Sequence, residues 1–332
     1  MSNPTFCLFA LLAAMAVPAS AADGDRPKAP PVIPPVAGES APAAATTDNV
    51  DPLRFGAKKP DEAYGAFQRG LYKTALNLAL PRAQEGDKAA QTLVAEILSR
   101  GLGIKRDETA AAKWYEMAAE QGVPEAQFQY ALMLLDGRFV KKDKKAAFAL
   151  MEASAEAGNA LAQFNYAQLL MQRDPGPRGA ELALPYYQKA AEADLPDAQY
   201  AMSQILANGV GGKKPDDVEA RKWLVRAAKQ NFDTAQLDLG TWLISGRGGE
   251  RDQKSGFAWL KRAAEGGNVA AQNRVAKLYM QGIGTEPDSI FAAAWYILAR
   301  RAGLFDPIMD DFMNGLTTEE IKTALGRANR LR

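Results

Sequence analysis

One motif recurs six times along this chain of 332 residues at an almost constant spacing. Each copy begins with an alanine followed by a glutamine, and the spacings are 36, 36, 36, 37 and 36 residues. The six alanines are Ala90, Ala126, Ala162, Ala198, Ala235 and Ala271. A fixed period of this size is typical of a helical solenoid, in which each unit buries an apolar face against its neighbours. The period therefore predicts an all-α array rather than a compact globule.

Within each unit the pattern indicates two helices joined by a turn. Counting from the alanine as position 1, the apolar positions 1, 5, 8 and 9 share one helical face. Position 6 is always Ala, Ser or Gly, which lets two helices approach closely. Position 12 is a glycine in all units except the one starting at Ala162, where residues 173–177 read Arg-Asp-Pro-Gly-Pro. A glycine there predicts a left-handed residue that ends the first helix.

The second helix has a signature of its own. Aspartate is expected to cap it, because a carboxylate oxygen accepts hydrogen bonds from the free backbone N–H groups at a helix start. These aspartates are Asp107, Asp143, Asp252, Asp288 and either Asp216 or Asp217. They lie a whole repeat apart, which disfavours a metal site. A bulky residue follows near position 25, and we expect these side chains to lie in the core: Trp114, Leu150, Tyr186, Trp223, Trp259 and Trp295.

This unit resembles the Sel1-like repeat, a relative of the tetratricopeptide repeat, over residues 90–303. The resemblance implies a right-handed α-α superhelical solenoid. We expect an N-terminal capping hairpin at residues 61–89, with helices at 63–67 and 72–84. Capping helices are expected at 304–332, because Thr317 and Glu320 have the spacing of a capping box.

The first sixty residues have a different composition. An uncharged apolar run at residues 6–17 is too short to span a bilayer and precedes Ala19-Ser20-Ala21, which predicts a secretory signal peptide at 1–21. Residues 1–5 contain no Lys or Arg, a departure from that pattern. Residues 22–60 are rich in Ala and Pro and predict a flexible linker. We therefore expect a periplasmic protein with no integral membrane span after cleavage.

The composition excludes several kinds of chemistry. The chain has no histidine, and Cys7 is its only cysteine, which disfavours His-dependent nucleophiles and most zinc sites. Its net charge of +1 argues against binding nucleic acid. We expect no cofactor, no metal and no catalytic residue. A glycan-processing enzyme using two carboxylates remains the alternative.

If the array coils as tetratricopeptide-like arrays do, positions 3, 7, 10 and 11 of each first helix line a concave groove. A partner helix or an extended peptide would suit that surface. The predicted protein-binding residues are Phe128, Leu132, Leu135, Phe164, Gln168, Met171, Tyr200, Gln204 and Leu237. The competing interpretation is that Phe128, Phe164 and Tyr200 wedge between adjacent hairpins.

The function we expect is a monomeric periplasmic scaffold or adaptor that holds an unidentified protein partner. The resemblance implies a regulator similar to the Sel1-type proteins of exopolysaccharide production. A structural spacer with no groove ligand stays open as a third possibility.

Overall fold

The computed structural model describes residues 61–210 and 214–331, which contain sixteen helices and no strand. All sixteen lie in one compact unit, Glu62–Arg332. The predicted signal peptide at 1–21 and linker at 22–60 lie outside the described residues, so both stay predictions.

The helices pair into consecutive hairpins. The first is α1 Glu62–Gln68 with α2 Tyr72–Gln84. The first helices of the six repeats are α3 Lys88–Arg100, α5 Pro124–Asp136, α7 Ala160–Arg173, α9 Pro196–Asn208, α11 Asp233–Ser245 and α13 Val269–Gln281. Their second helices are α4 Glu108–Glu120, α6 Lys144–Glu156, α8 Pro177–Glu192, α10 Asp217–Lys229, α12 Gln253–Glu265 and α14 Ser289–Arg301. The chain ends with α15 Pro307–Asn314 and α16 Thr318–Ala328. Each repeat helix packs on the helix before it and the helix after it, which confirms the all-α solenoid.

The turn inside each hairpin forms as the sequence predicts. The five glycines at position 12 are left-handed, with φ between 65° and 79°, and each follows the last residue of a first helix. The five capping aspartates then accept hydrogen bonds from the start of the second helix. In the longer unit Asp216 takes this role, and Asp217 is the first helical residue.

In the unit starting at Ala162, the two helices are connected without a left-handed glycine. Asp174 ends α7 in an extended conformation, and α8 starts after two more residues and runs for 16 residues instead of 13. Gly179 in α8 lies so close to the carbonyl oxygen of Asp174 that a Cβ atom there would lie 1.9 Å from it. The tighter connection therefore requires glycine at residue 179.

The repeated glutamine joins each repeat to the preceding hairpin. In all six copies its side-chain amide donates to a carbonyl oxygen in the last turn of the preceding second helix, at 3.1 to 3.3 Å. Carbonyls in the last turn of a helix have no partner within that helix. Gln199, for example, donates to Ala191 and accepts from Gln230 at 2.9 Å. The alanine-glutamine pair thus marks the contact between neighbouring hairpins.

Replacing Gln199 with leucine is expected to lower the free energy of unfolding by about 1–3 kcal/mol, because the fully buried side-chain amide loses its hydrogen bonds to Ala191 and Gln230. Urea denaturation followed by circular dichroism measures the change. The matched control is Gln272→Leu, since Gln272 makes the same bond at a half-buried site that water reaches. Equal losses in the two variants would contradict the explanation from burial.

The core of the second helices is shifted by one residue from the predicted one. Of the six bulky side chains near position 25, only Trp295 is buried, and the other five are half-buried. The residue that follows each of them is at most 4% exposed: Tyr115, Met151, Tyr187, Leu224, Leu260 and Tyr296. The prediction that all the position-25 residues are core was therefore wrong. Two of the half-buried tryptophans instead have an arginine over the ring, three residues further along the helix.

The last helix closes the end of the array. Thr317 and Glu320 form the predicted capping box at the start of α16. This helix packs against α14, and Ala324 and Ala328 join the cluster that buries Trp295. Trp295 is buried because α16 covers it, whereas the second helices of the inner repeats leave their bulky residue partly in contact with water.

Candidate functional site

The predicted binding residues lie on the first helices α5, α7, α9 and α11, and we call their side of the array the first-helix face. Three aromatic rings at position 3 are buried: Phe128, Phe164 and Tyr200 are 6%, 2% and 7% exposed. The ring of Phe164 meets that of Tyr187 on α8 at 5.7 Å between centroids, and Tyr200 meets Phe232 at the start of α11 at 5.3 Å. These rings pack among the helices, as the competing interpretation expects, which leaves little of each ring accessible to a partner.

The other six predicted residues remain half-buried. They are Leu132, Leu135, Gln168, Met171, Gln204 and Leu237. Leu132, Leu135 and Met171 pack their inner sides against one hydrophobic cluster that runs through α5 to α9. Side chains with one side packed and one side accessible are held in place without being removed from solvent, as a contact surface requires.

Neighbouring first helices meet directly on this face. The Tyr200 hydroxyl donates to Oδ2 of Asp238 at 2.9 Å, and the Gln204 amide donates to the same oxygen at 3.3 Å. Positions 3 and 7 of one repeat therefore meet position 4 of the next. Sequence reasoning found Tyr200 and Gln204 but missed Asp238.

The first ten positions of these repeats are almost free of charge, although position 11 of the repeat in α5 is Asp136, which pairs with Arg138. Residues 126–135, 162–171 and 198–207 contain no acidic or basic side chain, and residues 235–244 contain only Asp238. Uncharged amides at Gln168 and Gln204 alternate with aliphatic side chains instead. The one signal that could have identified Asp238 from the sequence is that it is the only charged residue at positions 1–10 of these four consecutive repeats.

The environment of Asp238 disfavours its charge. Burial raises the pKa of its carboxyl above the usual value, although hydrogen bonds from Tyr200 and Gln204 and the more distant Arg274 and Arg247 oppose the shift. Within residues 61–210 and 214–331, no lysine or arginine nitrogen lies within 4 Å of this carboxylate. Asp238 is thus a half-buried acid held by neutral donors.

This arrangement offers a surface for contact. Cleavage of a glycosidic bond by the usual mechanism needs two carboxyl groups flanking the bond. Asp238 is the only carboxylate in residues 126–135, 162–171, 198–207 and 235–244. In the part of the chain that the structure describes, no group of three or more His, Cys, Asp or Glu residues could hold a metal ion. Nor is any described helix both long and apolar enough to cross a membrane.

Six stacked hairpins with a continuous first-helix face define a helical-repeat protein of the tetratricopeptide-like class. The chain belongs to the Sel1 repeat family, which it matches in six segments: residues 88–123, 124–159, 160–195, 196–232, 234–268 and 269–304. The predicted resemblance and the six repeats are confirmed.

Two solved structures share the fold. A Sel1 repeat protein from Oxalobacter formigenes is 24% identical with a TM-score of 0.62, and the match covers 75% of this chain and 100% of that chain. The protein c5321, a protective antigen of uropathogenic Escherichia coli, is 25% identical with a TM-score of 0.53. That match covers 77% of this chain and 63% of c5321, less than two thirds of its length. No curated protein matches this chain.

Proposed function

We propose that this protein is a non-catalytic periplasmic scaffold that binds a partner protein along its first-helix face and acts as a regulatory adaptor in the bacterial envelope. The Sel1 repeat fold generally serves as a protein–protein interaction scaffold. The observation that carries the proposal is the continuous, nearly uncharged face whose aliphatic and amide side chains are packed on one side and accessible on the other. The exopolysaccharide pathway is the regulatory context we propose for it.

An extended peptide or one helix of the partner fits this surface. Position 7 carries an amide in two successive repeats, at Gln168 and Gln204, and an amide both donates and accepts hydrogen bonds to a peptide backbone. Leu135 and Met171 supply apolar contact beside these amides. A partner segment lying across α5, α7 and α9 would therefore find apolar contact on α5 and α7 and amides on α7 and α9.

Photocrosslinking in living cells tests the binding surface. A photoreactive amino acid placed at Leu135 or Met171 is expected to capture one discrete partner species, because both side chains lie on the first-helix face. Matched controls carry the same group at Met117 on α4 or Leu182 on α8, which are 40% and 44% exposed. Crosslinks that form only from these second-helix positions would place the partner on the other side and contradict the proposal.

The cellular compartment needs a separate measurement. Residues 1–60 fused to alkaline phosphatase, which folds only where disulfides form, are expected to yield active enzyme. The same fusion lacking residues 1–21 is expected to be inactive. Equal activity of the two fusions would exclude the proposed export signal without bearing on the binding face.

A further inference from the structure

We propose that Asp238 determines the specificity of the first-helix face, by pairing with the cationic side chain of a lysine or arginine in a partner segment that is otherwise uncharged. This inference rests on the proposed function and names the chemistry of the partner. It follows from the geometry around Asp238 and from the lack of any other charge at positions 1–10 of four consecutive repeats.

The carboxylate is held in one orientation by the repeat before it. Tyr200 and Gln204, both on α9, donate to Oδ2, and both donors are neutral. No described residue donates to the other oxygen, Oδ1, and this oxygen is not among the buried polar atoms that lack a partner. Oδ1 is therefore an oriented acceptor that solvent or a partner can reach.

The charges that face Asp238 do not neutralise it. Arg247, which follows α11, is already paired with Asp217 at 2.7 Å and lies over the ring of Trp242 at 4.1 Å. Arg274 on α13 is exposed and contributes only at long range. Lys277, one turn further along α13, is paired with Asp306 at 2.5 Å. The helix packed on the other side, α9, contributes only Tyr200 and Gln204.

A carboxylate in such a site favours a cationic partner. A partly buried charge without a counter-ion loses hydration that its surroundings do not replace. A bound lysine or arginine would supply the missing charge and donate to Oδ1, whereas an uncharged side chain would cover the carboxylate and leave it unpaired. Asp238 would therefore discriminate against uncharged side chains as well as add affinity for a cationic one.

A peptide library tests the pairing directly. The probes are nine-residue peptides made of Ala, Leu, Gln, Ser and Val, with lysine, arginine, norleucine or glutamate at the centre. The wild-type protein is expected to retain lysine and arginine peptides about tenfold or more better than norleucine peptides. Asp238→Asn is expected to bind all four sets with similar affinity. The matched control, Asp233→Asn, removes an exposed carboxylate from the first turn of the same helix and is expected to keep the preference.

The stability of Asp238→Asn separates a binding role from a structural one. Because the pKa of the carboxyl is raised in the folded protein, the folded state favours its neutral form. Its contribution to stability therefore falls as the pH rises from the unfolded value through the folded value. Asparagine is neutral and can still accept a hydrogen bond, so the thermal midpoint of the variant at pH 7 is expected to equal or exceed that of the wild type. A large drop in the midpoint would show a structural role and overturn the inference.

The remaining outcomes distinguish the inference from the proposed function. Peptides that bind the wild type without preference for a central cation would overturn the role of Asp238 and leave the scaffold intact. A preference for the cationic peptides that survives in Asp238→Asn would also overturn the role of Asp238 and leave the scaffold intact. A wild-type protein that retains no peptide of any charge would contradict both the inference and peptide docking on the first-helix face.

Discussion

Replacing Trp295 with alanine is expected to lower the free energy of unfolding by about 3–5 kcal/mol, the range for removing a large aromatic side chain from a core. Trp295 is 1% exposed and lies in a cluster to which helices α12 to α16 all contribute. Its removal leaves a cavity that α16 can fill only by moving toward α14. The C-terminal end of the array, helices α14 to α16, is therefore expected to unfold before the other repeats.

The control for this variant occurs within the chain at the same repeat position. Trp259 occupies position 25 of the preceding repeat, is half-buried, and has Arg262 over its ring at 5.7 Å. Urea denaturation followed by far-ultraviolet circular dichroism measures both variants, and Trp259→Ala is expected to lose clearly less stability. Equal losses would show that the inner tryptophans are core residues after all.

Replacing Gly240 with alanine is expected to destabilise the protein by about 1–3 kcal/mol, the range for forcing an extra methyl group into a packed interior. A Cβ atom at residue 240 would lie 2.7 Å from the carbonyl oxygen of Gly256 and 2.6 Å from Cγ of Leu260. A Cβ atom at residue 256 would in turn lie 2.7 Å from the carbonyl oxygen of Gly240. Helices α11 and α12 are thus close enough that an added methyl group must push them apart.

The matched substitution is Gly326→Ala in α16, where a Cβ atom would meet nothing within 4 Å. Alanine is favoured over glycine in a helix interior by about 1 kcal/mol, so this variant is expected to gain stability. The same substitution should therefore lower the thermal midpoint at residue 240 and raise it at residue 326. Two stabilised variants would mean that α11 and α12 can separate without loss.

The fold could be predicted because its determinants are local and repeated. The alanine-glutamine pair, the glycine at position 12 and the capping aspartates each act within a few residues, and each recurs at the same place in the unit. The half-buried tryptophans could not be placed, because two adjacent positions on a second helix, such as Trp259 and Leu260, are both apolar. Which one faces the neighbouring hairpin depends on the rotation of the helix, which a short pattern does not determine.

The candidate site was predicted only in part for a similar reason. The period identifies which positions share a face, and six of the nine predicted residues are accessible on it. Burial of Phe164 and Tyr200 depends on rings and helices from other elements, Tyr187 and Phe232 among them. Asp238 was not predicted, because no sequence motif contains it and only the absence of other charges near it in the repeats distinguishes it.

The shared glutamine contact also affects how such a chain evolves. Because every junction uses the same amide-to-carbonyl bond, the end of any one unit is chemically compatible with the start of any other. An in-frame duplication or loss of 36 codons would recreate that junction at the new boundary. The length of the array can then change in single steps, and a lineage can match the reach of its binding surface to a longer or shorter partner without redesigning the core.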